Sequence, residues 1–107
     1  MTRVKAISDG DRCALTITGH AAVGEDETGK LVCASVSGIA FALLGWLKNA
    51  ELTGIGAMTH ESGDVRIDVC GDARLRTAFE VAVIGLMQAA QSYPQYVTCD
   101  AADFWAT

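Results

Sequence analysis

Apolar and polar positions alternate in two short segments at the start of the chain, residues 2–8 and 12–18. From Cys13 onward, every second residue of the later segment is apolar and the residues between are polar or small, a pattern typical of a strand with one buried face. Asp9 and Gly10 separate the segments, and this dipeptide accepts the positive φ angles of a tight turn. The pattern predicts a β-hairpin with Cys13 in the core.

Residues 31–47 carry no charge over 17 residues and are flanked by two lysines. This length is at the short end for a membrane span, and the segment holds two serines and two glycines. A buried helix from about residue 31 to Asn49 is therefore the preferred interpretation. The preceding segment, Gly19 to Lys30, has three glycines and three consecutive acids, which predicts a mobile surface loop.

The second half of the chain again shows two strand patterns followed by a helix pattern. Strands are predicted over 52–60 and 64–70, with a turn at residues 61–64. Asp72 is a candidate N-cap for a helix that continues to about Ser92, where a Tyr-Pro pair ends it. Its inward stripe comprises Leu75, Phe79, Val83, Leu86 and Ala90, and a last short strand is expected at about 95–99.

These elements give the order ββαββαβ in a single domain, residues 1–107. The order predicts an α+β fold, with two helices packed on a largely antiparallel sheet. Val81, Ile84 and Met87 lie off the main stripe of the second helix, and the first helix is apolar nearly all round. We expect a homodimer to cover this surface; loops and sheet curvature are the alternative.

Charge and cysteine content narrow the function. The net charge is −5 and no Lys/Arg cluster occurs, which argues against nucleic acid as the direct ligand and suits a basic protein substrate, although such acidity also serves solubility. The first residues lack an apolar signal region, so a cytoplasmic, reducing location is expected. Four cysteines without a CxxC pair, and only two histidines, predict neither a metal site nor a disulfide framework. No cofactor is expected.

Cys33 is distinguished from the other cysteines by its position. It falls in the first turn of the predicted helix, where unpaired N–H groups and the helix dipole stabilise a thiolate, the nucleophilic form of cysteine. The N–H groups around Cys33, Ala34 and Ser35 would also be placed to hold an oxyanion.

His20 is the candidate base for that thiol. Twelve residues separate it from Cys33, and when extended they reach roughly 40 Å, so the two side chains can meet. In such a pair the imidazole takes the thiol proton and later delivers it to a leaving amine. His60 is a rival base beside the predicted turn at residues 61–64.

The sequence around these two residues carries a family resemblance. Gly19-His20-Ala21, a glycine-containing loop and then Leu31-Val32-Cys33-Ala34-Ser35-Val36-Ser37 closely resemble the Prp family, the bacterial ribosomal-processing cysteine proteases. The predicted order of strands and helices matches that family across nearly the whole chain.

The resemblance implies a cysteine endopeptidase that removes the N-terminal extension of a large-subunit ribosomal protein, the one numbered twenty-seven. It also implies a Cys/His dyad of Cys33 and His20, a loop that covers the site, and a homodimer. The family usually has an acidic residue just after the loop glycine, where this chain has Lys30. Asp26 and its acidic neighbours are candidates to compensate, and Lys30 either favours the thiolate by its charge or is a solvated lysine.

Two further residues have alternative interpretations. Ser37 is one helical turn after Cys33, so its hydroxyl either hydrogen-bonds within the site or bonds the helix backbone. Gly19 gives the backbone freedom for His20 to leave the strand.

For the function of the whole protein, two alternatives to the protease stay open: a non-catalytic ribosome-associated binding module of the same fold, and a thiol redox sensor.

Overall fold

The computed structural model describes residues 1–20, 26–50, 57–61 and 63–106, and for residues 57–60 the description is confined to the backbone. In these ranges five strands form one sheet in the order β3-β4-β2-β1-β5, accompanied by three helices. The elements are β1 (Thr2–Asp9), β2 (Arg12–Thr18), α1 (Glu27–Asn49), β3 (Ala57–Glu61), β4 (Asp64–Cys70), α2 (Ala73–Ser92), β5 (Val97–Asp100) and α3 (Ala102–Trp105).

The sheet is largely antiparallel, as predicted. β1 and β2 form the expected hairpin, with Asp9 opposite Arg12 and Gly10 at a φ of 61° in the turn. The pairs β2–β4 and β3–β4 are also antiparallel. In contrast, β5 pairs with β1 in the parallel direction and forms one edge of the sheet. The α+β class and the order ββαββαβ are confirmed, with α3 added at the end.

The long helices contribute one buried face each to the core. The buried positions of α1 recur at helical spacing: Gly29, Val32, Val36, Ala40, Leu43 and Leu47. In α2 the predicted stripe is buried except for Ala90, which is half-buried. They pack against the inward residues of β2 and β4, including Cys13, which is 2% exposed. The period-2 and period-3.6 patterns therefore predicted the inward faces of β2, β4 and α2, but they did not identify a single buried face on α1.

The start of α1 is where the prediction was wrong. The helix begins at Glu27, four residues before the predicted start, and Asp26 is its N-cap. The Asp26 carboxylate accepts the Gly29 N–H at 3.2 Å, and the acidic Glu27 in the first turn suits the positive end of the helix dipole. Part of the segment predicted to be a mobile loop, from Asp26 to Lys30, therefore forms the N-cap and first turn of α1. Residues 21–25 of that segment lie outside the described part of the chain.

By length and composition alone, α1 could cross a membrane: its most apolar 18-residue window has a mean hydropathy of 1.8. A third of that window is buried in the fold. Leu31 and Phe41 are 70% and 51% exposed. The expected burial therefore applies to one face of α1, and the opposite face leaves apolar side chains exposed.

The second hairpin has the predicted turn at residues 61–64. β3 ends at Glu61 and β4 begins at Asp64, with Gly63 at a φ of 73° between them. The first residues of the predicted strand 52–60 lie outside the described residues. The turn brings Gly63 next to the end of β2, because Thr18 is paired with Asp64.

The short helix α3 was not predicted, since four residues are too few to show a helical period. Its Phe104 is fully buried, and the Arg76 guanidinium of α2 lies 4.2 Å from the centroid of that ring. Arg76 also donates to the Phe104 carbonyl oxygen at 3.1 Å and to Ser8 Oγ at 2.6 Å. One guanidinium therefore joins α2, α3 and β1.

Candidate active site

His20 lies just beyond the end of β2, held by backbone contacts on both sides. Gly19 has a φ of 87°, and its N–H donates to the carbonyl of Gly63 at 2.9 Å. A side chain at Gly19 would overlap the carbonyl oxygen of Met1. The amino group of Met1 donates a hydrogen bond to the His20 carbonyl oxygen at 2.8 Å. Gly19 therefore provides the backbone freedom that was predicted for it.

Cys33 lies on α1, but not in its first turn. Counted from Glu27, Cys33 is the seventh helical residue, so its own N–H and those of Ala34 and Ser35 belong to the i→i−4 ladder. The prediction that unpaired helix-start N–H groups surround Cys33 is wrong for this reason. The thiol is half-buried, at the border of the buried face formed by Val32 and Val36.

One open cavity of about 420 Å³ brings the two candidate residues together. His20 and Cys33 both line it, and so does Ser37, one turn after Cys33 on α1. The remaining lining residues come from β1, β2, α1 and the β3–β4 hairpin: Thr2, Ile17, Gly19, Val36, Ala40, Phe41, Glu61, Gly63, Asp64 and Val65. A thiol, an imidazole and a hydroxyl thus face a common space with apolar walls, an arrangement suited to acyl transfer.

Ala34 and Ser35 lie outside this cavity. Both are exposed, and the Ser35 hydroxyl donates to the Leu31 carbonyl oxygen at 3.0 Å, one turn back. Ser37 therefore lines the same cavity as the thiol, whereas Ala34 and Ser35 do not.

Lys30 is a solvated lysine in this structure. Its Nζ lies 4.0 Å from Glu27 Oε1, both side chains are more than half exposed, and Lys30 does not line the cavity. Asp26 does not take the place of the missing acid, because its Oδ1 accepts the Gly29 N–H and its Oδ2 accepts the Tyr96 hydroxyl.

Two of the other cysteines are poorly suited to nucleophilic chemistry. Burial raises the pKa of the Cys13 thiol and of the Cys99 thiol, which disfavours the thiolate in both. Cys70 ends β4, five residues and about 17 Å along the strand from the cavity residue Val65.

Among the described residues, no cluster of three or more His, Cys, Asp or Glu side chains is placed to bind a metal ion.

Sequence reasoning missed the contribution of the β3–β4 hairpin. Glu61 and Asp64 stand at the cavity, and Gly63 packs against the imidazole of His20. The turn itself was predicted, but nothing in its composition indicates which part of the molecule it meets. The side chain of the rival base His60 lies outside the described residues.

The aromatic side chains divide as core and surface. Phe79 is fully buried, Trp46 is half-buried, and Trp105 packs edge-on against Phe104 with ring centroids 4.9 Å apart. Phe41 alone of these lines the cavity with Cys33, so it contributes an aromatic surface to that cavity.

Comparison with known proteins identifies the family. A family model described as cysteine protease Prp matches residues 1–98. The ribosomal processing cysteine protease Prp of Mycoplasma pneumoniae is 34% identical over 87 residues, which are 78% of this chain and 82% of that protein.

Solved structures share the fold. SMU.848 from Streptococcus mutans has a TM-score of 0.73 at 23% identity, covering 94% of this chain and 92% of its own. The essential ribosomal processing protease Prp from S. aureus, in complex with a covalently linked product peptide, has a TM-score of 0.76 at 16% identity, covering 94% and 98%. At such identities these structures speak for the fold, while the match over residues 1–98 shows that the chain belongs to the Prp family of cysteine proteases.

Proposed function

We propose that this cysteine protease removes the N-terminal extension of a large-subunit ribosomal protein in the cytoplasm, with Cys33 as nucleophile and His20 as general base. The single observation that carries the assignment of residues is the shared cavity, which His20, Cys33 and Ser37 all line. The substrate class is supported by the relative from Mycoplasma pneumoniae, which is a ribosomal processing protease.

The chemistry follows from the two side chains. The imidazole of His20 takes the thiol proton, and the Cys33 thiolate attacks the carbonyl carbon of the scissile bond. The C–N bond breaks as the imidazolium gives its proton to the leaving amine, which leaves a thioester on Cys33. Water then attacks this thioester, with His20 again as the base, and the acid product and free thiol are released.

Ser37 is the proposed donor to the oxyanion. The backbone N–H groups of Cys33, Ala34 and Ser35 are engaged in the helix, so they do not serve an oxyanion. The Ser37 hydroxyl is exposed and lines the cavity one turn from the thiol.

The cavity favours an apolar or basic peptide. Its walls are apolar, and its rim carries the carboxylates of Glu61 and Asp64, of which Asp64 also accepts from Arg66 at 3.0 Å. None of the described lining residues is a lysine or arginine. A peptide with basic residues beside the cleaved bond would therefore be attracted, whereas an acidic one would be repelled.

We also propose that the protein is a homodimer that uses the groove between α1 and α2. This groove encloses about 720 Å³ and is lined by Ile39, Ala42, Leu43, Trp46, Arg74, Thr77, Ala78, Val81, Ala82 and Gly85. Val81 is 68% exposed and the adjacent Ile84 46%. Light scattering after size exclusion should give a molar mass twice that of one chain, and Val81→Glu should reduce it to the mass of a single chain. If the unaltered protein is a monomer at micromolar concentration, the proposal is wrong.

Cleavage of a peptide spanning the processing site tests the enzymatic assignment. Cys33→Ala should abolish cleavage, and His20→Ala should lower kcat by about 10²–10⁴-fold because proton transfer is lost. Cys70→Ala is the matched control, since Cys70 is also half-buried but stands at the far end of β4. The residue assignment fails if Cys33→Ala still cleaves; peptide binding without cleavage by the unaltered protein would favour a binding module.

A further inference from the structure

Gly63 lies directly against the imidazole of His20. A Cβ built on Gly63 would stand 2.9 Å from His20 Cε1 and 3.1 Å from Cδ2, and it would overlap Nε2. Carbon atoms of real side chains do not approach so closely, so the ring occupies the space that any side chain at residue 63 would need. The tip of the ring faces the backbone of the β3–β4 turn.

The turn is fastened to the segment that carries His20. The Gly19 N–H donates to the Gly63 carbonyl at 2.9 Å, and the next pair along the sheet is Thr18 with Asp64. The backbone that contacts the ring is therefore held in register with the backbone from which the ring projects. A contact of this kind restricts how the imidazole can rotate toward Cys33.

We propose that Gly63 is a positioning residue for His20, a backbone wall without a side chain that fixes the imidazole in the cavity shared with Cys33. This inference rests on the proposed role of His20 as general base. A general base must lie within hydrogen-bond reach of the proton it takes, and a misplacement of about 1 Å can cost about 100-fold in rate. Residue 63 must therefore be glycine for two reasons: its φ is positive, and a side chain there would collide with the imidazole of His20.

Gly10 provides a matched control. It occupies the other hairpin turn at a φ of 61°, close to the 73° of Gly63, and a Cβ built on it meets nothing within 4 Å. Gly10→Ala and Gly63→Ala therefore impose similar backbone strain, and only Gly63→Ala forces the imidazole to move.

The first test is a thermodynamic cycle that needs no activity. Gly63→Ala should lower Tm more than Gly10→Ala does, and this excess should disappear when both are made in the His20→Ala background, because the group that the new methyl meets is gone. An excess that persists without the imidazole would overturn the proposal. If Gly63→Ala alone does not fold, the double variant Gly63→Ala/His20→Ala should fold; its failure to do so would also overturn it.

The second test uses catalysis. Gly63→Ala should reduce kcat by about 100-fold with little change in KM, and it should shift the acidic limb of the pH–rate profile, while Gly10→Ala leaves both unchanged. Equal kinetics for the two variants would contradict the positioning role. If the unaltered protein cleaves nothing, the proposed function fails, but the Tm cycle still decides the contact between Gly63 and His20.

Discussion

The hydroxyl of Tyr96 donates to the carboxylate of Asp26 at 2.8 Å, across 70 positions of the chain. Asp26 is also the N-cap of α1, and Tyr96 precedes β5 and accepts the Thr2 N–H through its carbonyl oxygen. The bond therefore ties the start of the helix that carries Cys33 to the edge of the sheet.

The first prediction concerns this bond and its dependence on pH. The Tyr96 hydroxyl, followed by the Gly29 N–H, lowers the pKa of Asp26, and the carboxylate raises the pKa of Tyr96. The Asp26 contribution is present above the ordinary pKa of about 4 and is lost as pH falls through the lowered value; the Tyr96 contribution is present below about 10 and is lost as pH rises through the raised value. Tyr96→Phe should thus lower Tm at neutral pH, with a smaller difference at both extremes.

Thermal unfolding followed across the pH range measures this difference. Tyr93→Phe is the control, because the side chain of Tyr93 is exposed three residues earlier on the same segment. A Tm difference for Tyr96→Phe that does not shrink in acid would show that the Asp26 carboxylate is not what the hydroxyl stabilises.

The second prediction concerns thiol reactivity. Cys33 lies in an open cavity with an imidazole, while burial raises the pKa of Cys13 and Cys99. Iodoacetamide at neutral pH should therefore modify Cys33 first, as measured by peptide mass spectrometry over time, and His20→Ala should slow that modification. Earlier modification of Cys13 or Cys99 would count against Cys33 as the nucleophile.

The third prediction concerns the two faces of α2. Phe79 is fully buried in the core, whereas Gln88 on the same helix is exposed. Phe79→Ala should lower the free energy of unfolding by about 3–5 kcal/mol through lost burial and the cavity left behind. Gln88→Ala, at an exposed position outside the proposed dimer groove, should change it by less than about 0.5 kcal/mol. Urea denaturation of both variants makes the comparison; similar losses would contradict the described orientation of α2.

The fourth prediction concerns Arg76, whose side chain is 28% exposed and bonds Ser8, Glu80 and the carbonyl of Phe104. Arg76→Met keeps much of the aliphatic length but removes the donors, so the free energy of unfolding should fall by about 1–3 kcal/mol. Arg66→Ala, outside the proposed dimer groove, removes an exposed ion pair with Asp64 and should change little. Urea denaturation followed by tryptophan fluorescence measures both variants; an equal effect of the two would refute the prediction.

The sequence predicted the elements better than it predicted their ends. Alternation identified β2 and β4, and the stripe from Leu75 to Leu86 identified α2, because burial on one face imposes the period. The start of α1 was misplaced because Glu27 to Lys30 is polar on most positions and has no apolar stripe; a capping carboxylate at Asp26 defines that helix end.

For the site, the order of residues determined His20, Cys33 and Ser37 as candidates, since these lie in short motifs that can be read along the chain. Only the tertiary structure decided which groups surround them. Gly63 reaches His20 because β4 pairs with β2, and Tyr96 reaches Asp26 because β5 runs parallel to β1. Contacts between residues distant along the chain depend on strand order and register, which side-chain patterns within one element do not encode.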